Sequence, residues 1–262
     1  MKGILLGEQS SPCGYLPWRT ATQEAFFVLE DISEEDLSFL ISQGYRHFGT
    51  FFYRPVCTDC HACIPIRLPV EKHRFTPSQR RLMHTNSRYT VQILRPQPSE
   101  EKYAIYCEHK KRFEDENAEP YEEFVQSFFH QFPSSYEMDI FDGERLFCVS
   151  HIDITLSCIS AVYCYYRAAY SPASPGKYAI VMELEEAHKR SIPYLYLGFL
   201  VAGNRHMKYK AGYYPNELLV TEGDWRMYRD EKNRIIDESL IKRGFLPQTR
   251  LQAGEKNPPR RP

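Results

Sequence analysis

EMDIF (137–141), RLFCVSHIDITL (145–156) and SCISAVYCYYRAAY (157–170) are followed by SPASPG (171–176), a charged helical stretch over 177–191 and PYLYLGFLV (193–201). The first three segments alternate and run apolar as consecutive antiparallel strands do, joined by Asp142-Gly143 and by a short polar turn. From Lys177 to Ser191 the period lengthens to that of a helix. Val181, Leu184 and His188 share one face, and Glu185/Lys189 and Glu186/Arg190 are spaced as supporting pairs. PYLYLGFLV then reads as a buried strand.

This order of hairpin, helix and strand is that of an N-acetyltransferase-like core, so the fold class expected is α+β: a GNAT-type mixed sheet with flanking helices, preceded by a cysteine-containing N-terminal region. The glycine-rich loop that cradles a CoA pyrophosphate in such cores is missing, which points to an acyl donor other than CoA. SPASPGKY (171–178) fails as a phosphate loop, because Ser171 stands where a glycine is needed and Tyr178 where magnesium needs a hydroxyl. There is no GxSxG elbow, HExxH helix or GxGxxG turn, so serine hydrolase, zincin and dinucleotide-binding chemistry have no local support.

Outward from the core, Ser33 caps a helix ended by Gly44, Ser99 caps another over SEEKYAIYCEHKKRFEDE (99–116), and PYEEFVQSFFHQF (120–132) reads as a third, with Phe124, Phe128 and Phe129 on one face. RYTVQIL (88–94) alternates as a strand, whereas the stretch from Pro69 to Asn86 is basic and interrupted by prolines. The expected organisation is an N-terminal cysteine-bearing region over 1–92, an acyltransferase domain over 93–246 and a mobile tail over 247–262. The 262 residues suffice for a sizeable core, and 33 basic against 34 acidic side chains exclude a protein that coats nucleic acid by bulk charge. Any RNA contact must be a local patch. No stretch reaches the roughly 18 apolar residues of a membrane span and no signal-peptide core follows the start, so the chain reads as cytosolic.

In a reducing compartment eight cysteines need a use other than disulfides. Cys148, Cys158 and Cys164 lie in apolar strands and Cys107 in a helix, where they read as packing. Cys57, Cys60 and Cys63 form CxxCxxC, a spacing that aims sulfurs at one point, with Cys13 as a fourth candidate ligand and His61 as another. Zinc and an iron–sulfur cluster are both open, as is a metal-free site of packed thiols. The ferredoxin run fails because Arg67 stands where its next cysteine is required.

Three blocks together carry a resemblance: CGYLPWRTATQEAFF (13–27), GYRHFGTFFYRPVCTDCHACIPIRLPV (44–70) with SQRR (78–81), and SAVYCYYRAAYSPASPGKYA (160–179) running to YLYLGFLVAGNRHMKYKAGYYPNELL (194–219). In that order they resemble the arginyl-tRNA-protein transferase family, most closely its bacterial aspartate/glutamate leucyltransferase branch. The resemblance implies transfer of leucine from leucyl-tRNA to the N-terminal amine of proteins that begin with Asp or Glu, a product that marks them for degradation. Neither CoA nor any cofactor is implied for the transfer. Two other readings are arginyl transfer from Arg-tRNA to the same acceptors, and a non-catalytic metal-binding adaptor for acidic N-termini. Arg167-Ala168 and the stretch after Leu200 depart from the family's usual sequence.

Such a reaction starts from an activated ester, so the protein must hold an amine about 3 Å from the carbonyl and stabilise the oxyanion. Asp153, at the end of an apolar strand, is the candidate to bind or deprotonate the amine, or else a strand-end hydrogen-bonding group. Tyr166 is the candidate donor to the ester oxygen, or else a packed tyrosine. An acidic first residue requires a fixed cation, for which Arg54 and Arg67 flank the cysteine turn, with Arg19 and Arg80 in reserve. For the acceptor end of tRNA, Arg205, His206, Lys208 and Lys210 cluster with Tyr209, and Arg81 and Arg88 offer a second contact beside Arg80.

Overall fold

The computed structural model describes residues 2–112, 118–130, 132–248, 250–251 and 258–259. In chain order the elements are β1 (Gly3–Pro12), β2 (Thr20–Val28), α1 (Glu34–Ser42), β3 (Arg46–Phe48), β4 (Phe51–Pro55), β5 (Ile64–Pro69), α2 (Pro77–Thr85), β6 (Thr90–Leu94) and α3 (Glu100–Lys110). They continue as α4 (Tyr121–Phe128), β7 (Ser135–Asp142), β8 (Arg145–Ile154), β9 (Cys158–Tyr166), α5 (Pro175–Lys189), β10 (Tyr194–Leu200), β11 (Asn216–Thr221), β12 (Asp224–Arg229) and α6 (Ser239–Arg243).

An antiparallel sheet of order β1-β2-β4-β3 packs beside an eight-stranded sheet of order β12-β11-β5-β10-β9-β8-β7-β6. The expected α+β class and its acetyltransferase-like core are therefore present: β7, β8 and β9 form a meander, α5 crosses over, and β10 returns parallel to β9. A parallel return needs a long crossover, and α5 supplies it. β8 is buried at every position after Arg145, as a strand covered on both faces must be. On α5 the face of Val181 and Leu184 is buried, and both supporting pairs form, Lys189 to Glu185 at 3.6 Å and Arg190 to Glu186 at 2.6 Å.

Ser33 and Ser99 cap α1 and α3 as expected, their hydroxyls accepting from Asp36 N at 3.1 Å and Lys102 N at 3.2 Å. Residues 113–116 of the block expected to be helical from Ser99 lie outside the described residues. The proline-interrupted basic stretch holds a helix that its prolines help to start: Pro77 opens α2, and Thr76 and Gln79 cap one another reciprocally. β5 comes from the N-terminal part of the chain yet lies inside the large sheet between β11 and β10. The two sheets therefore share one framework. Of the tail expected beyond residue 246, the described part is joined to the body by Gln248 N to Glu222 Oε2 and Leu251 N to Glu24 Oε2, both 2.9 Å.

β9 and β10 pair only over three positions, Tyr194, Leu195 and Tyr196 against Cys158, Ile159 and Ser160. Beyond that point β9 continues along β8, while β10 shifts register against β5 between Tyr196 and Phe199. Gly198 permits the shift with a φ of +75°, a conformation that costs other residues energy. The strands splay, and the gap opens toward the small sheet.

Candidate active site

A cavity of about 400 Å³ lies at the junction of the small sheet with the end of β10. Its apolar wall is Leu16, Phe48, Phe51, Tyr53 and Phe199, and Arg19, His61 and all four candidate cysteines, Cys13, Cys57, Cys60 and Cys63, also line it. The separate segments carrying these thiols are thus brought to one chamber. Cys13 Sγ accepts from Leu16 N at 3.4 Å, and Cys57 Sγ accepts from Thr22 N at 3.3 Å. Burial, reinforced by the other three thiols, pushes the Cys63 thiol up to about 12. Among the described residues no three His, Cys, Asp or Glu side chains are gathered as a metal ion requires.

Arg54, expected to meet an acidic N-terminus, is fully buried and engaged by acids of the chain itself. Its guanidinium pairs with Glu24 and, at 2.9 Å, with Glu222, donates to Gln43 O at 3.2 Å and lies 4.5 Å over the Tyr45 ring. It ties β2 and β4 to the β11–β12 turn. Arg67 donates to Glu217 Oε2 at 2.8 Å and to the Tyr196 hydroxyl at 3.1 Å, between the rings of Tyr194 and Trp225. It borders a second, open cavity of about 430 Å³ beside α1. Arg19 lines the first cavity, donating to Asp59 O at 3.0 Å, whereas Arg80 is exposed on α2 with Phe75 O as its partner. The motif's two arginines are thus joined to the chain's own carboxylates, a pairing that sequence spacing cannot reveal.

Asp153 lies outside both cavities, buried on β8 with Oδ2 2.9 Å from His47 Nε2. Tyr166, at the end of β9, packs its ring 4.8 Å from that of His109 and 4.6 Å from the Arg112 guanidinium. Of the proposed tRNA-binding residues, Arg205, Lys208 and Tyr209 are exposed. Lys210 is not part of that surface. Its Nζ turns inward to donate to Phe199 O at 3.0 Å, and burial, with the Arg46 charge beside it, pushes the amine down to about 7.

Arg46 is not among the residues that the sequence singles out. It enters the gap between β9 and β10, donating to Ser160 Oγ at 2.9 Å and to Ala161 O. The phenols of Tyr15 and Tyr53 stand close enough for the Arg46 charge to act on both, and burial holds both above the usual phenol range, so both are available as donors. A signal for this site exists in the sequence, since Arg46 and Lys210 lie in two of the blocks that carry the resemblance. Only the splay brings them together.

The chain matches two family models, described as the N terminus of arginine-tRNA-protein transferase over residues 11–81 and its C terminus over residues 101–220. An aspartate/glutamate leucyltransferase of Campylobacter jejuni strain 81-176 is 33% identical over 228 residues, 84% of this chain and 93% of the relative. Another from Methylobacillus flagellatus is 37% identical over 84% of this chain and 90% of its own length. Among solved structures, L-PGS from Bacillus licheniformis overlays loosely, with a TM-score of 0.43 and 13% identity over 67% of this chain and 52% of that one. FemX gives 0.42 and 7% over 73% and 79%. The identity to the two transferases, sustained over nine-tenths of their length, is decisive: the chain belongs to the arginine-tRNA-protein transferase family, in the branch of the aspartate/glutamate leucyltransferases.

Proposed function

We propose that the protein moves leucine from leucyl-tRNA to the α-amine of proteins that begin with Asp or Glu, in the cytoplasm, and so marks them for degradation. The observation that carries this reading is the identity, sustained over nearly the full length, to relatives named for that activity. The chemistry asks little of the protein beyond placement. The α-amine, with an ordinary pKa near 7.7–8.0, is partly neutral at cellular pH and attacks the ester carbonyl. The carbonyl becomes an oxyanion, the C–O bond to the tRNA ribose breaks, the ribose oxygen takes the proton lost by the amine, and an amide remains.

The apolar wall of Phe48, Phe51, Tyr53 and Phe199 suits an isobutyl side chain. Tyr15 and Tyr53 are the donors that we assign to the developing oxyanion. Asp153 acts through His47 as a positioning residue, and Tyr166 packs behind the site. Arg205, Lys208 and Tyr209 suit the single-stranded acceptor end of tRNA. The four cysteines hold the Arg19 turn against the small sheet, with or without a structural metal, and elemental analysis of protein purified without oxygen decides which.

The deciding experiment supplies labelled leucyl-tRNA and arginyl-tRNA in parallel to peptides beginning with Asp, Glu, Asn or Ala. Leucine on the Asp and Glu peptides is expected; no transfer from either donor overturns the reading, and transfer of arginine alone reassigns the donor.

A further inference from the structure

Buried cations are ordinarily paired with carboxylates, because an unpaired buried charge is costly. Arg54 obeys that rule with Glu24 and Glu222, Arg67 with Glu217, and Lys102 with Glu137 and Asp139. Among the described residues, Arg46 and Lys210 have no such carboxylate. Arg46, 9% exposed, donates to the neutral Ser160 hydroxyl and Ala161 carbonyl, and Lys210, half-buried with its Nζ turned inward, donates to the Phe199 carbonyl. The nearest acid in register, Asp153 opposite Ser160, is held by His47.

The two cations also stand together. A Cβ at Gly198 would lie 3.4 Å from Arg46 Nε and 3.7 Å from Lys210 Nζ, so the glycine leaves room between the guanidinium and the ammonium. The pair lies behind the wall of the first cavity: Arg46 is paired in register with Tyr53, Lys210 donates to the carbonyl of Phe199, and both Tyr53 and Phe199 line that cavity. Two neighbouring cations without a carboxylate, behind an apolar wall, have the character of an anion subsite.

We infer that Arg46 and Lys210 form the subsite for the side-chain carboxylate of the acceptor's first residue, read across the Gly198 gap. This rests on the proposed leucyl-transfer reaction and gives it a specificity determinant other than Arg54 or Arg67. A carboxylate is favoured over a tRNA phosphate because the pair lies inside the sheet junction, whereas a polynucleotide backbone needs cations at the surface, where Arg205 and Lys208 stand. A site built around two cations rejects an isosteric amide, which brings the same shape but no charge.

The test uses the full-length protein, leucyl-tRNA and two peptides that differ only in Asp or Asn at the first position. The wild-type preference for Asp, as a ratio of kcat/KM, is expected to fall about 10- to 100-fold in Lys210→Met and in Arg46→Gln, with KM for leucyl-tRNA unchanged. Folding is checked by thermal melting. Should Arg46→Gln not fold, Lys210→Met, which gives up a single hydrogen bond, carries the experiment. An unchanged Asp:Asn ratio in a folded Lys210→Met protein overturns the subsite, as does a rise in KM for leucyl-tRNA with the ratio preserved. Wild type that transfers leucine to neither peptide overturns the underlying reaction, an outcome distinct from both.

Discussion

His47 Nε2 lies 2.9 Å from Asp153 Oδ2, and that contact joins β3 of the small sheet to β8 of the large one. His47 Nδ1 donates to Gly49 O at 3.0 Å, since a carbonyl can only accept. Phe52 stacks on the imidazole at 4.7 Å and Phe132 meets it edge-on at 6.0 Å, so the pair is dry. Its partner on the next strand, Ser160, carries Arg46. The pair thereby fixes the strand from which Arg46 reaches into the splay.

Removing one member of a buried pair leaves the other without its counterpart, at a cost of roughly 3–5 kcal/mol. Asp153→Ala is expected to lower unfolding stability in urea by about that amount, and Asp153→Asn by less, because the amide can still bond to the imidazole. If Asp153 only positions, the folded Asn variant keeps kcat within about tenfold of wild type. A fall of a hundredfold or more in a stable Asn variant would instead give Asp153 the substrate's proton.

Arg67 offers a spectroscopic handle, because its guanidinium lies 4.3 Å from the Trp225 ring centre and 3.9 Å from that of Tyr194. Lysine keeps the charge but loses the planar face and the fork that meets Glu217 and Tyr196. Arg67→Lys is expected to cost about 1–2 kcal/mol and to change the emission of Trp225. The other tryptophan, Trp18, is 73% exposed and can be quenched separately with iodide. An unaltered Trp225 spectrum would show that the stack does not persist in solution.

The core elements are legible in the sequence because their signals are local. The Asp142-Gly143 turn, the caps at Ser33 and Ser99, and the ion pairs of α5 each depend on residues a few positions apart. α2 escapes such a reading because Pro77 looks like a breaker, whereas at the first helical position its missing N–H has no partner to lose. The choice of Arg54 and Arg67 follows from their place beside the cysteines, but whether an arginine is free for a ligand depends on acids 30 to 168 positions away. Lys210, a surface cation by its neighbours in sequence, turns its Nζ inward to the Phe199 carbonyl, beside Gly198 and Arg46. Charge pairing across strands and sheets is a tertiary property, set by which acids the fold brings beside each arginine.

Glu183 predicts a pH dependence. Buried on α5, it accepts from Ser150 Oγ at 2.8 Å through Oε1, while Oε2 has no hydrogen-bond partner among the described residues. Burial pushes its carboxyl up to about 7, from an ordinary value of 4.5. The folded state then holds this proton more tightly than the unfolded chain, so folding is penalised increasingly as pH rises from about 4.5 to about 7, reaching about 3 kcal/mol at most. Glu183→Gln cannot ionise and escapes the penalty. The stability of the variant relative to wild type should therefore improve between pH 4.5 and about 7 in urea unfolding, and a difference independent of pH would show that Glu183 ionises freely in the fold.

The exposed basic segment predicts a salt effect separable from stability. Arg205 and Lys208 lie on the surface after β10, and Arg205 Nε donates to His206 Nε2 at 2.9 Å, so neither supports the core. If they meet phosphates of the single-stranded acceptor end, removing each cation should reduce the slope of log affinity against log salt by about 0.7. Arg205→Gln with Lys208→Gln is then expected to raise KM for leucyl-tRNA several-fold at low salt and to lower the slope by about 1.4. The melting temperature and the Asp:Asn acceptor ratio should stay at wild-type values, because the core cations Arg46 and Lys210 are untouched. A salt slope equal to wild type would mean that tRNA approaches by another face, and the exposed Arg80 and Arg88 would then be the next pair to replace.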